Sequence, residues 1–186
     1  MKKITPFLWF DDKAEEAMNF YVSIFKNSKV GSVTRYGEAG PGPKGTVMTA
    51  TFQLDGQDFI ALNGGPHFKF TEAISFSVDC KTQEEVDELW EKLSAGGQKS
   101  RCGWLKDKYG LSWQIVPTVL SELLGSKDAR KSKKVMEAML KMDKLVEQQT
   151  DYLLLQAIVV HSGTTLETLW TIAVQGVKRI MALVVR

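Results

Sequence analysis

Apolar positions along the chain form strand-like runs and helix-like stripes, and this alternation occurs twice. Residues 4–10 are an apolar and aromatic run, which predicts a mostly buried strand. An amphipathic helix is expected next, because Asp12 and Glu15 have capping-box spacing and apolar side chains recur at helical intervals. The stripe comprises Ala14, Ala17, Met18, Tyr21, Ile24 and Phe25. This helix should therefore pack against a sheet.

A second strand and a β-hairpin are predicted to complete the first unit. Residues 30–36 are rich in strand-forming side chains, and residues 37–45, with two prolines and four glycines, must be a loop. Alternation over 46–54, a turn at Asp55-Gly56 and the apolar run 59–62 predict the hairpin. Asn63-Gly64-Gly65-Pro66 should end it, since these residues do not continue a regular strand.

Residues 74–117 repeat this order of elements. The apolar run 74–78 precedes a capping box formed by Thr82 and Glu85, and a helix and a last hairpin follow, ending at Pro117. A shift of 69 residues lays residues 15–21 on 84–90, which indicates an internal duplication. The predicted fold class is therefore α+β, with two paired βαβββ units over residues 1–118 forming one domain that encloses a small ligand.

The pattern after Pro117 is helical. Residues 119–150 are predicted to form C-terminal helices, and residues 151–186 form an apolar extension. Polar residues interrupt every window of about 18 residues in this extension, so no membrane-spanning helix is predicted. Two explanations stay open for it: an oligomerisation or cavity-covering helix, or the product of a frameshift near Glu147.

Composition and charge are those of an ordinary globular protein. The chain has 186 residues, 44% of them hydrophobic, and a formal net charge of +2. The one dense basic run, 127–134, lacks aromatic neighbours that could stack bases, so no nucleic-acid partner is expected. The short, acidic N-terminal region does not resemble a signal peptide, which favours a cytoplasmic location with Cys80 and Cys102 as free thiols. Cys102 lies near cationic residues and could be reactive, whereas Cys80 is expected to be a small buried residue.

Four strings in this chain resemble one known family. The strings ITPFLWF at residues 4–10, NGGP at 63–66 and SWQIVP at 112–117, with GWLKD at 103–107, resemble the PhnB-like branch of the vicinal-oxygen-chelate superfamily. That superfamily includes glyoxalase I, fosfomycin and bleomycin resistance proteins and extradiol dioxygenases. Its PhnB-like branch is also described as a 3-demethylubiquinone 3-methyltransferase domain. Methyl transfer is not expected here, because no glycine-rich loop for S-adenosylmethionine follows the first strand.

The resemblance also implies where a divalent metal would bind. Members of the superfamily hold a metal in the concavity of their sheets, where it stabilises a developing oxyanion. The corresponding positions fall near Thr5, Ala61, Ala73 and Gln114, of which only Gln114 could plausibly ligate. The usual ligand triad is absent, so no cofactor is predicted, although a divalent metal stays possible.

The predicted ligand-binding residues are Thr5, Trp9, Asn63, Phe76 and Gln114. Trp9, Phe76 and Gln114 are expected to line one cavity together with Trp113. Alternation along the last strand could instead turn Trp113 towards the helices. The leading hypothesis is a homodimeric, metal-independent or catalytically unassigned protein that binds a small organic ligand. The alternatives are a metal-dependent glyoxalase-type lyase or isomerase, and an interaction protein acting through its C-terminal extension.

Overall fold

The computed structural model describes residues 4–146, and the predicted extension over 151–186 lies outside this range. The first unit comprises β1 (Phe7–Phe10), α1 (Ala14–Ile24), β2 (Lys29–Arg35), β3 (Val47–Leu54) and β4 (Gln57–Asn63). The second comprises β5 (Ser75–Cys80), α2 (Gln83–Ser94), β6 (Gln98–Lys99), β7 (Trp104–Lys106) and β8 (Ser112–Pro117). Two helices follow, α3 (Thr118–Leu124) and α4 (Ala129–Met139).

The two units have the same topology. Their four-stranded sheets have the orders β1-β4-β3-β2 and β5-β8-β7-β6. In each sheet the first strand pairs in parallel with the last, and the remaining neighbours pair antiparallel. The α+β class and the duplication predicted from the sequence are confirmed. The second unit is the shorter one, because β6 has two residues and β7 has three.

The main hydrophobic core lies between the helices and one face of each sheet. The buried stripe of α1 is Ala14, Ala17, Met18, Tyr21 and Ile24, and that of α2 is Val86, Leu89, Trp90 and Leu93. Tyr21 joins the units, since its ring lies 6.1 Å from Phe52 of β3 and 5.5 Å from Trp113 of β8 between centroids. Burying an aromatic side chain of this size contributes about 1.5–3 kcal/mol, so the contact helps to hold the units together.

Both helices begin near the predicted positions, but they are capped differently. Thr82 caps α2, because its hydroxyl accepts from the amide of Glu85 at 3.2 Å. The prediction that Asp12 caps α1 is wrong: Lys13 is the cap residue and makes no side-chain cap bond. The amide of Ala14 instead donates to Oδ1 of Asn63 at 2.8 Å, so the capping oxygen comes from β4.

The C-terminal helices cover one end of the second unit. The helix predicted to continue to 149 ends at Met139, after which residues 140–146 form turns. Met142 and Leu145 then pack with Ala138 in a small separate cluster. The amides of Cys102 and Gly103 donate to Met142 and Asp143, which ties this segment to the chain before β7. No helix within residues 4–146 is long and apolar enough to cross a membrane.

Candidate functional site on the open faces of the sheets

Each sheet has a face turned away from the helices, which we call its open face. On β1 the side chains of Leu8 and Phe10 are buried in the core, so Phe7 and Trp9 lie on the open face. On the second sheet the open face carries Gln114 of β8, together with residues of β5 and β7 that pair with it in register. The alternation of buried and half-buried residues along β3 follows the same rule.

Trp9 has a fixed position on the open face of the first sheet. Its indole N–H donates to the carbonyl of Gly65 at 2.8 Å, and its ring makes an edge contact with Phe68 at 4.9 Å. A Cβ at Gly64 would collide with the indole ring, so glycine at that position allows the ring to lie against the backbone. Thr5 is half-buried just before β1 and, by alternation, is on the same side as Trp9.

Asn63 lies on the helix-facing side of the first sheet, where its side chain links β4 to α1 and β3. It pairs in register with the buried Phe10, and its Nδ2 donates to the carbonyl of Val47 at 3.1 Å. Because its Oδ1 also accepts from α1, both polar atoms of the side chain are occupied. The amides of Gly64 and Gly65 donate to backbone carbonyls at the end of β1, so they are not presented to an anion.

Phe76 does not share a surface with Gln114. It pairs in register with Trp113, which is buried, and its ring contacts Trp113 and Phe59 at 5.5 and 5.2 Å between centroids. The expected cavity lined jointly by Trp9, Phe76, Trp113 and Gln114 is therefore wrong, since successive residues of a strand point to opposite faces. The alternative that turns Trp113 towards the helices is confirmed. Phe76 instead lines a cavity of about 410 Å³ on the helix side, between the two units.

Gln114 is the central polar side chain on the open face of the second sheet. It is half-buried, and its Nε2 donates to the hydroxyl of Ser75 at 2.8 Å. Trp104 lies beside it on β7, in direct register. Of the predicted site residues, the structure thus places Gln114 on the open face of the second sheet and Trp9 on that of the first, with Thr5 just before β1. Asn63 and Phe76 lie on the helix-facing sides of their sheets.

The residues present do not fit a metal centre with three protein ligands. Within residues 4–146 no group of three or more His, Cys, Asp or Glu side chains is arranged to hold a metal ion. At the positions that the resemblance implies, Ala61 and Ala73 offer no ligand atom, and Thr5 offers a neutral hydroxyl. Gln114 could supply one oxygen, which by itself does not make a site. No chemical step is therefore assigned to a metal.

The sequence did not point to Asp107, a buried polar residue with four hydrogen-bond donors around it. Its carboxylate is buried, and it accepts hydrogen bonds from Tyr21 Oη at 2.7 Å, Trp113 Nε1 at 2.9 Å, and the amides of Tyr109 and Leu111 at 2.8 and 3.1 Å. Burial raises the pKa of Asp107 above its ordinary value, while the four donors act in the opposite direction. Asp107 links α1 of the first unit to the β7–β8 turn of the second, so its role is architectural.

The two thiols lie in different surroundings. Cys80 is buried at the end of β5, and burial, with Glu85 and Asp79 nearby, raises its pKa to about 12. The prediction of a small buried residue is confirmed for Cys80. Cys102 is half-buried, and its Sγ lies 3.5 Å from the carbonyl of Met139.

Two sheets built from duplicated βαβββ units, each with an open face, define a protein of the vicinal-oxygen-chelate superfamily. The family model described as 3-demethylubiquinone-9 3-methyltransferase matches residues 2–116. The chain therefore belongs to this PhnB-like family, which confirms the resemblance seen in the sequence.

Solved structures agree with this assignment. A PhnB protein from Bacillus cereus, described as a 3-demethylubiquinone-9 3-methyltransferase, is 46% identical; the match covers 62% of this chain and 99% of that one, with a TM-score of 0.58. A protein from Pseudomonas aeruginosa is 20% identical over 63% of this chain and 98% of its own, with a TM-score of 0.53. The fosfomycin resistance protein FosX from Listeria monocytogenes is 18% identical over 68% and 100%, with a TM-score of 0.50. The last two show similarity of fold only. No curated protein matches the chain.

Proposed function

We propose that the chain binds a small organic ligand on the open face of its second sheet, without a metal. The supporting observation is the Gln114–Ser75 pair: the bond from Nε2 fixes the amide, and within the described part of the chain Oε1 has no donor. A fixed, half-buried acceptor on a sheet can orient a polar group of a ligand. Methyl transfer is not part of the proposal, because β1 leads into α1 through Asp11, Asp12 and Lys13 rather than a glycine-rich turn.

A thermal-shift screen of small molecules, followed by calorimetry on Gln114→Ala, tests this proposal. Hits should bind the variant about 2–10-fold more weakly, the effect of losing one hydrogen bond. Gln53→Ala is the matched control, because Gln53 lies on the first sheet and bonds to Asp58 at 2.9 Å. Hits that bind Gln114→Ala as tightly as the wild type would contradict the proposed site. Metal content of the purified protein, measured beside Gln114→Ala, tests the metal-dependent alternative.

We also propose that the protein is a homodimer in which a second copy covers the open face of the first sheet. Phe7 is 57% exposed on that face, beside the half-buried Trp9 and Leu62. An exposed apolar surface on a sheet favours association. Phe7→Lys should shift sedimentation towards the monomer, whereas Leu140→Lys, at a residue that is 53% exposed after α4, should not. A wild-type protein that sediments as a monomer at micromolar concentration would refute the dimer.

A further inference from the structure

A cavity of about 360 Å³ adjoins the open face of the second sheet, beside β6 and β7. Its lining includes Arg101, Trp104, Lys106, Glu72 and Ser112. Its volume falls within the range of small-molecule pockets and matches a fragment-sized ligand.

Ser112 is the most informative residue of this cavity. It is fully buried, and its hydroxyl has no hydrogen-bond partner among residues 4–146. The neighbouring hydroxyl of Ser75 accepts from Gln114 and makes no hydrogen bond to Ser112. A buried polar group without a partner is unfavourable and rare in folded proteins, so it requires an explanation. The hydroxyl has no accessible surface in this conformation, so a ligand in the cavity must displace the side chains that cover Ser112 before it can hydrogen-bond to it. Such a bond would provide the explanation.

The charges around the cavity favour an anion. Lys106 forms an ion pair with Glu72 at 2.6 Å, and the hydrogen bond from Lys106 lowers the pKa of Glu72, so this pair is neutral overall. Arg101 is exposed and has no ion pair within the described ranges. Arg101, Lys106 and Glu72 together give the lining a net charge of +1. The guanidinium of Arg101 can bind the carboxylate of a ligand through two parallel hydrogen bonds.

Trp104 supplies the apolar part of the cavity. It is half-buried on β7, and its indole can lie against a flat ligand. We propose that this cavity binds a small aromatic carboxylate that carries a second polar group: the carboxylate bonds to Arg101, the ring contacts Trp104, and the polar group bonds to Ser112. This inference rests on the proposed function and names the class of ligand for the same face.

Calorimetry with benzoate, phenylacetate, their meta- and para-hydroxy derivatives and the matching primary amides tests the inference. The wild type should prefer carboxylates to amides by about fivefold, the strength of an exposed ion pair. Arg101→Ala should abolish this preference, whereas Arg35→Ala, on the first sheet, should keep it. The hydroxy derivatives should bind more tightly than the parent acids by about two- to tenfold, and Ser112→Ala should remove that gain.

Stability gives a second readout that does not depend on the choice of ligand. Ser112→Ala should raise the Tm by about 2–4 °C, because it removes an unpaired buried hydroxyl. The exposed Ser121→Ala is the control for ligand binding and should leave all affinities unchanged. A fall in Tm for Ser112→Ala would show that the hydroxyl has a partner within the protein, and would overturn the inference.

The outcomes separate the two proposals. Binding that depends on Gln114 but shows no carboxylate preference, or is unaffected by Arg101→Ala and Ser112→Ala, overturns the carboxylate inference and leaves the proposed function standing. No binding of any carboxylate at millimolar concentration also overturns the inference. If the broad screen additionally gives no ligand sensitive to Gln114→Ala, the proposed function falls as well.

Discussion

Replacing Asp107 with asparagine should destabilise the fold, because Asp107 accepts four hydrogen bonds and asparagine cannot. The carbonyl oxygen of an asparagine could keep the two backbone amides, which leaves its NH₂ group facing Tyr21 and Trp113. The tyrosine hydroxyl can rotate and accept a bond, but the indole N–H can only donate. The buried Nε1 of Trp113, now 2.9 Å from a carboxylate oxygen, would therefore lose its partner.

The size of the effect follows from these contacts. A buried donor left without a partner costs about 1–3 kcal/mol, and loss of the charge weakens the bonds that persist by about 1 kcal/mol in total. We therefore expect Asp107→Asn to lower the free energy of unfolding by ~2–4 kcal/mol. For a domain of this size the corresponding fall in Tm is roughly 4–16 °C.

Urea unfolding followed by tryptophan fluorescence and far-ultraviolet circular dichroism measures the change. Asp12→Asn is the matched control, since Asp12 is exposed. Tyr21→Phe removes one donor and leaves the bond from Trp113, so it should cost about 1–2 kcal/mol. The double variant should cost less than the sum, because both changes disrupt one network. If Asp107→Asn destabilises no more than Asp12→Asn, the architectural role of Asp107 is refuted.

The pKa of Asp107 gives the same comparison a pH dependence. A carboxyl group whose pKa is raised in the folded state contributes stability below its unfolded pKa and loses that contribution as the pH rises through the folded pKa. The stability difference between the wild type and Asp107→Asn should therefore widen in acid, below the ordinary pKa of aspartate. A difference that narrows instead would mean that the four donors outweigh burial.

Three further predictions concern single residues. Asn63→Ala should lower the free energy of unfolding by about 1–3 kcal/mol in urea, since two hydrogen bonds are lost; an unchanged midpoint would contradict the role of Asn63 in linking β4 to α1 and β3. Thr82→Ala should cost about 1 kcal/mol by the same assay, whereas Thr82→Ser should restore most of it, because the capping oxygen is kept. Cys80, whose pKa is raised to about 12, should resist modification by maleimide at neutral pH in the folded protein, whereas the half-buried Cys102 should react. Mass spectrometry measures the order of modification, and a result in which Cys80 is modified first would be inconsistent with its burial.

The order of strands and helices could be predicted from the sequence, because it depends on local periodicity. The apolar stripe of α1, the cap at Thr82 and the Asp55-Gly56 turn are each encoded within a few residues. The cap of α1 was mispredicted since its oxygen comes from Asn63, 49 residues away. No local pattern contains that contact.

The candidate site was less predictable for the same reason. Asp107 lies between Lys106 and Lys108 in a turn, and its sequence context resembles that of an exposed residue. Its burial depends on Tyr21, which is 86 residues away. The one local signal is Trp113, an indole donor six residues further on, whose N–H must have an acceptor if it is buried.

The two open faces have diverged chemically although the units share one topology. The first carries Phe7 and Trp9. The indole N–H of Trp9 donates to a backbone carbonyl and is not available to a ligand, so this face presents mainly apolar surface. The second carries Gln114 and Ser112, whose Oε1 and hydroxyl lack partners within the described residues. Apolar surface is suited to association, and unpaired polar groups are suited to a polar ligand. Duplication followed by this divergence would let one sheet serve assembly while the other binds, and Phe7→Lys and Ser112→Ala should then affect association and ligand affinity separately.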